Sequence, residues 1–175
     1  MSTDLHPTPS PDHGDLLGPL ADWVGTWRGT GHGDYPTIAG FDYTEEVVLG
    51  VTGKPVLSYV QRTRGSDGRP LHAESGWIRL VAADADEPGH AGPVVVEWVV
   101  AQPTGLVEAA AGTLHDGVLD VVAVPQRTPS AVEVVDVRRR FHLADDRLTY
   151  DLWMTTAEVT TRTHHLAASL ERVAG

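Results

Sequence analysis

The sequence predicts an all-β fold, a closed antiparallel up-and-down barrel of about ten strands behind a short N-terminal helix. Three observations predict it. From Gly25 onward, short apolar segments recur along the chain and are separated by Gly, Pro and Asp, the rhythm of a sandwich or barrel. Several segments alternate with period two, so one face is apolar and the other polar. Pairs such as Asp145-Asp146 and Asp116-Gly117 sit between segments, where two-residue hairpin turns need residues that tolerate positive φ. Closure into a barrel removes the exposed edges that so many strands would otherwise leave.

The elements follow in chain order. Residues 1–14 are rich in Pro, Ser, Thr, Asp and His and read as a disordered tail, because they have little apolar surface to bury. Residues 15–175 read as the single folded domain. Leu16, Leu17, Leu20 and Trp23 have helical spacing, which predicts a short helix ahead of the barrel. Strands are expected over 24–32, 41–49, 55–64, 71–81, 93–101, 104–112, 117–124, 131–143, 147–157 and 164–173. The last of these is equally compatible with a helix, since Leu166 and Leu170 are four apart. Alternation places Leu148, Tyr150, Leu152 and Met154 inward and Asp151 and Trp153 outward. The same rule groups Val135, Val137, Phe141 and Leu143 on one face, and Val94, Val96, Trp98 and Val100 on another. Arg138, Arg139 and Arg140 form the only basic run and read as a solvated strand face.

Composition narrows function. The formal net charge of −11 opposes binding to nucleic acid and to anionic membranes. There is no cysteine, so thiolate catalysis, disulfides, Fe–S clusters and covalent c-type haem attachment are excluded. No secretory signal pattern is visible at the N-terminus, and no apolar run approaches spanning length. A cytoplasmic protein is the expectation. The methionines are Met1 and Met154 alone.

Gly25-Thr-Trp-Arg-Gly-Thr-Gly31 superficially suggests a phosphate loop. It lacks the Lys-Ser/Thr end and the following helix. It reads better as the first strand of a lipocalin- or fatty-acid-binding-protein-like barrel whose Trp27 plugs one end, as the Gly-x-Trp of lipocalins does. The pattern extends further. It continues through Gly33-Asp-Tyr-Pro-Thr-Ile38, Phe41-x-Tyr-x-Glu-Glu-Val-Val48, Gly53-Lys-Pro55 and Pro70-Leu-His-Ala-Glu-Ser-Gly76. It ends with Thr104-Gly-Leu-Val-Glu108, Gly112-Thr113 and His165-Leu-Ala-Ala-Ser-Leu170. In this order and spacing, over residues 17–173, the chain resembles the nitrobindins.

That resemblance implies a ten-stranded barrel that holds one haem b per chain, noncovalently and mostly ferric, at an open mouth. It implies a single axial histidine at His165, with Thr37 beside the haem and His72 near the open face of the iron. It implies isomerisation of peroxynitrite to nitrate and binding of nitric oxide, with a homodimer left open. Val132 stands where some bacterial members carry a lysine, so any charge contact from that position is missing. The residues themselves permit this chemistry, since a vacant iron site polarises a small anion and the Val, Leu and Trp faces would wall it in. A lipocalin-like carrier of an apolar molecule without haem is the alternative.

The histidines are not equivalent. His6, His13, His90, His115 and His142 read as tail, loop, turn or outward positions, and His32 as a surface residue. His164 and His165 are adjacent and face opposite ways in any regular strand. Parity with Leu166, Ala168 and Leu170 turns His164 inward, whereas the family register selects His165. The stretch from Met154 to His165 is one residue longer than the family pattern. Because the ligand would stand at the first residue of its strand, where the pleat is not yet set, His165 is the expected ligand.

Overall fold

A computed structural model describes residues 16–81 and 92–174. The expected tail over residues 1–14, with His6 and His13, and the loop residue His90 lie outside the described residues. A 3-10 turn over Gly18–Trp23 is followed by β1 (Gly25–Tyr35), β2 (Ile38–Val51), β3 (Val56–Gly65), β4 (Pro70–Leu80) and β5 (Val94–Ala101). Then come β6 (Leu106–His115), β7 (Val118–Ala123), the two-residue β8 (Gln126–Arg127), β9 (Val134–Ala144), β10 (Arg147–Thr156) and β11 (Thr163–Arg172). Each neighbouring pair is antiparallel, β11 returns to pair with β1, and β5 pairs with β6. The ten long strands therefore close into a barrel, as the alternation predicts. The last segment is a strand and not a helix. The N-terminal helix is reduced to the 3-10 turn, with Pro19 in its first residues and Gly18 at φ 49°.

The turn chemistry matches the sequence. Asp145 and Asp146 (φ 50° and 57°) and Asp116 and Gly117 (φ 47° and 72°) are the positive-φ pairs of tight hairpins. One end of the barrel is sealed by apolar packing. Trp27 is fully buried, its indole N–H donates to the Trp23 carbonyl at 3.0 Å, and Leu17 and Leu20 are also fully buried. Trp98, Leu119 and Leu148 pack on the same side as Trp23, and Val96 and Val100 join them in the buried core. The Arg172 guanidinium lies 4.1 Å from the Trp27 ring centroid and covers this plug.

Glycine in β1 answers a steric demand. A Cβ on Gly29 would stand 2.0 Å from the Ser169 carbonyl oxygen of β11, and one on Gly31 would meet the Tyr43 ring at 2.3 Å. The strand thus lets β11 approach on one side and gives the Tyr43 ring its space on the other.

Two readings of β9 are corrected. Arg139 is buried, while Arg138 and Arg140 face out; the basic run is not one solvated face, because alternation must send its middle member inward. Val135 is 44% exposed and does not share a face with Val137. The ladder slips where Thr155 opposes Asp136 and Thr156 opposes Val134, and that irregularity turns Val135 out.

Candidate functional site

The half of the barrel away from the Trp27 plug is open. A cavity of about 530 Å³ lies there, within the usual range for a small-molecule site. Apolar walls come from Phe41, Leu71, Leu106, Val137, Leu152, Met154 and Leu166, and polar groups from Gln61, His72, Glu74, Arg139 and His165. Leu148, Tyr150 and Leu152 are buried as alternation requires, and half-buried Met154 lines the cavity. The wall expected from Val94, Val96, Trp98 and Val100 is displaced, since none of them lines this space and all four are buried in the core.

The two adjacent histidines are separated by a bulge. Against β10, Leu166 pairs with Leu152 and His164 pairs with Trp153. His165 is therefore the extra residue, opposed by no residue of β10. The bulge lets His165 and Leu166 both line the cavity, whereas strict parity would separate them. His164 lies outside the cavity. Its Nε2 is 2.8 Å from Asp151 Oδ1 and its ring meets Trp153 edge-on.

The surroundings of His165 set its chemistry. Nδ1 is 2.9 Å from the Asp34 backbone carbonyl. A carbonyl only accepts, so Nδ1 carries the hydrogen and Nε2 keeps a lone pair. Burial lowers its pKa, outweighing the raising effect of the Asp34 carbonyl, so the neutral form is favoured. Tyr35 and Phe41 meet the ring edge-on at centroid distances of 5.4 and 6.4 Å and restrict its rotation. A neutral imidazole, oriented by a second-sphere carbonyl and presenting one free nitrogen, is the donor a haem iron takes. The mostly apolar walls suit a porphyrin face, so the residues present fit the group.

His72 lines the same cavity from β4, with Nε2 at 3.3 Å from Glu74 Oε2. Thr37 is exposed in the turn joining β1 to β2 and is not among the cavity-lining residues. His32 is exposed and pairs with Asp42 at 2.7 Å, and His115 pairs with Asp116 at 3.3 Å. His142 is exposed. Val132, 82% exposed, stands at the mouth.

Beneath the cavity lies a buried polar network that motif reading did not single out. Arg139 donates to Glu74 through Nη1 and Nη2, both at 2.8 Å, and to Glu108 through Nε and Nη2 at 2.9 and 2.8 Å. Glu108 also accepts from Trp98 Nε1 and Gln102 Nε2. Burial works against the charge on Arg139, but Glu108 and Glu74 outweigh it and hold the guanidinium ionised. Burial likewise pushes Glu74 up, yet Arg139 and His72 overcome that and draw its pKa down to about 2. Glu45 behaves oppositely. Burial drives it up to about 8 against hydrogen bonds from Tyr150 and Gln61.

Gln61 Nε2 donates to Glu45 Oε1 and to the Tyr150 hydroxyl, the latter at 3.1 Å, and the Tyr59 hydroxyl faces Gln61 Oε1 at 2.5 Å and Glu74 Oε1 at 2.8 Å. The remaining oxygen of Glu45 accepts from Tyr150, whose hydroxyl is 3.0 Å from that of Tyr43. No buried side-chain polar atom lacks a partner among the described residues.

A signal for these residues was present in the sequence. Glu45 shares parity with Tyr43 and Val47, Glu74 with Gly76 and Ile78, Glu108 with Leu106, and Arg139 with Val137 and Phe141. A charged residue at an inward position among apolar neighbours two apart is buried with a partner or not tolerated.

The barrel architecture itself is seen in a solved protein. The crystal structure of Rv2717c from M. tuberculosis superposes with a TM-score of 0.75 at 36% sequence identity, covering 91% of this chain and 100% of that one. The model of the THAP4-like, heme-binding beta-barrel domain matches residues 16–172, and the chain belongs to that family. Similar proteins include peroxynitrite isomerase 1 of Rhodococcus jostii, 44% identical over 87% of this chain and 82% of that protein. Peroxynitrite isomerase of Nocardia farcinica is 42% identical over 98% of this chain and 99% of that protein.

Proposed function

We propose that this chain holds one b-type haem noncovalently in the cavity through His165 Nε2 and isomerises peroxynitrite to nitrate. The observation that carries the reading is the His165 tautomer, with Nδ1–H committed to the Asp34 carbonyl and Nε2 left as a lone pair in an apolar cavity. Relatives of nearly equal length named peroxynitrite isomerase support the reaction.

When bound, a ferric haem supplies a Lewis acid that polarises a peroxide oxygen. The chain's own residues do the rest. Asp34 fixes the His165 ring, and Tyr35 and Phe41 hold its plane. Peroxynitrite and nitrate have the same atoms and electrons, so the protein must keep the reacting fragments together until they rejoin. Leu152, Met154, Val137 and Leu106 line the space that would confine them and limit water. His72 is one of the polar side chains that line this space. Thr37, in the β1–β2 turn, would stand at the rim. Nitric oxide, small and neutral, would enter the same space.

The match to a heme-binding beta-barrel family over residues 16–172 favours haem over the alternative of a metal-free apolar carrier. No described helix is long and apolar enough to cross a membrane, and a cytoplasmic location accords with this. Titration with hemin, followed by rapid-mixing measurement of peroxynitrite decay and of the nitrate yield, tests the function. A saturable Soret band with accelerated decay to nitrate is expected. No Soret change, or decay no faster than with hemin alone, refutes it.

A further inference from the structure

Arg139, Glu74 and His72 form a line of hydrogen bonds from the barrel interior to the cavity. Both oxygens of Glu74 are occupied: Oε1 accepts from Arg139 Nη1 and Tyr59 Oη, and Oε2 accepts from Arg139 Nη2. The side chains of Glu74 and Arg139 are 1% and 3% exposed, so water does not compete with this clamp. The bidentate fork keeps Glu74 an acceptor only. The third group at Oε2 is His72 Nε2 at 3.3 Å. Facing an acceptor-only carboxylate, that nitrogen must carry the hydrogen. Among the described residues, His72 Nδ1 has no hydrogen-bond partner, while the side chain is 33% exposed and lines the cavity.

We propose that Glu74 is a positioning residue that holds His72 as its Nε2–H tautomer, so that Nδ1 serves the cavity as a hydrogen-bond acceptor and base. This rests on the reading that the cavity holds the reacting ligand. It adds a rule about that ligand: His72 assists molecules that bring a proton and gives no hydrogen bond to those that bring none. For a weak acid such as hydrogen cyanide, the H–C bond breaks, the proton goes to Nδ1, and the carbon keeps the electron pair as the cyanide anion. His72 becomes an imidazolium beside Glu74, and charge and atoms balance. The charged and titratable neighbours of the ring come from its own strand (Glu74), from β9 (Arg139) and from β11 (His165, held neutral).

The tautomer is read directly in the full chain without haem, labelled with 15N in the histidine rings, at mildly alkaline pH. Two-bond proton–nitrogen spectra should show His72 protonated at Nε2. In Glu74→Gln, an amide N–H can face the ring, and the population should shift toward Nδ1–H. In the ferric holoprotein, Glu74→Gln should slow cyanide association on the order of a hundredfold, as loss of a positioned base does, with the Soret band of the resting form retained. A wild-type His72 found as Nδ1–H overturns the proposal, and this needs no variant to fold. So does a cyanide rate unchanged in Glu74→Gln. Failure to bind hemin at all would refute the proposed function while leaving the tautomer measurement to decide this proposal alone.

Discussion

Replacing Glu45 by Gln should make the barrel more stable at neutral pH, by an amount that grows with pH. Glu45 ionises at about 8 in the folded chain against an ordinary value of 4.5. The native state therefore keeps a proton that the unfolded chain releases. Below the unfolded value both states are protonated and nothing is lost. As pH rises from 4.5 toward 8, each pH unit removes about 1.4 kcal/mol of stability, and above 8 the loss is complete. At pH 7 the deficit is roughly 3 kcal/mol. Gln keeps the shape and needs no proton. An allowance of about 1 kcal/mol for its second amide hydrogen leaves a gain of about 2 kcal/mol, or roughly 4–8 °C in Tm for a chain of this size. Near pH 5 the two terms cancel to within about 1 kcal/mol. Urea unfolding of the haem-free chain across this range measures the difference between Gln and wild type directly. A difference that does not change with pH, or a Gln variant less stable than wild type near neutrality, would refute the assignment of a buried neutral Glu45.

Other outcomes follow from the same geometry. His165→Ala should abolish the Soret band of hemin-loaded protein while far-UV circular dichroism stays that of the barrel, and His164→Ala should leave the band unchanged, because His164 bonds Asp151 outside the cavity. Arg139→Met should cost about 3–5 kcal/mol in chemical unfolding, since it leaves Glu74 and Glu108 buried without their counter-ion; a loss under about 1 kcal/mol would show the clamp to be dispensable. Gly31→Ala should destabilise by about 1–3 kcal/mol, because its methyl group would overlap the Tyr43 ring. A Tyr43→Ala change in the same chain should recover part of that loss, and additive losses would exclude the overlap as the cause.

The barrel could be read from the sequence because its determinants are local. Period-two alternation in Leu148–Met154 decides which side chains enter the core without reference to any other strand. Asp116-Gly117 and Asp145-Asp146 carry their turn geometry in the two residues themselves. Trp27 within a glycine-rich first strand marks the sealed end. Where a residue's fate depends on the facing strand, the sequence was a weaker guide. Alternation with Val137 and Phe141 turns Arg139 inward, but that it is a counter-ion to Glu74 and Glu108 depends on strands it meets only on closure. Those acids lie 65 and 31 residues away along the chain.

The histidine pair shows the division most clearly. Motif register selects His165, and parity counted back from Leu170 selects His164. Neither resolves the matter, because parity holds only while a strand stays in register with its neighbour. The bulge at His165 is a property of the β10–β11 ladder and not of β11 alone. The sequence by itself determined that a closed barrel forms, which end is plugged and that a histidine stands at the start of the last strand. The tertiary structure decided which histidine enters the cavity, which tautomer it adopts and which charges lie beneath it. The reason is physical: those properties belong to hydrogen bonds and ion pairs between strands, whose partners are set by closure and register.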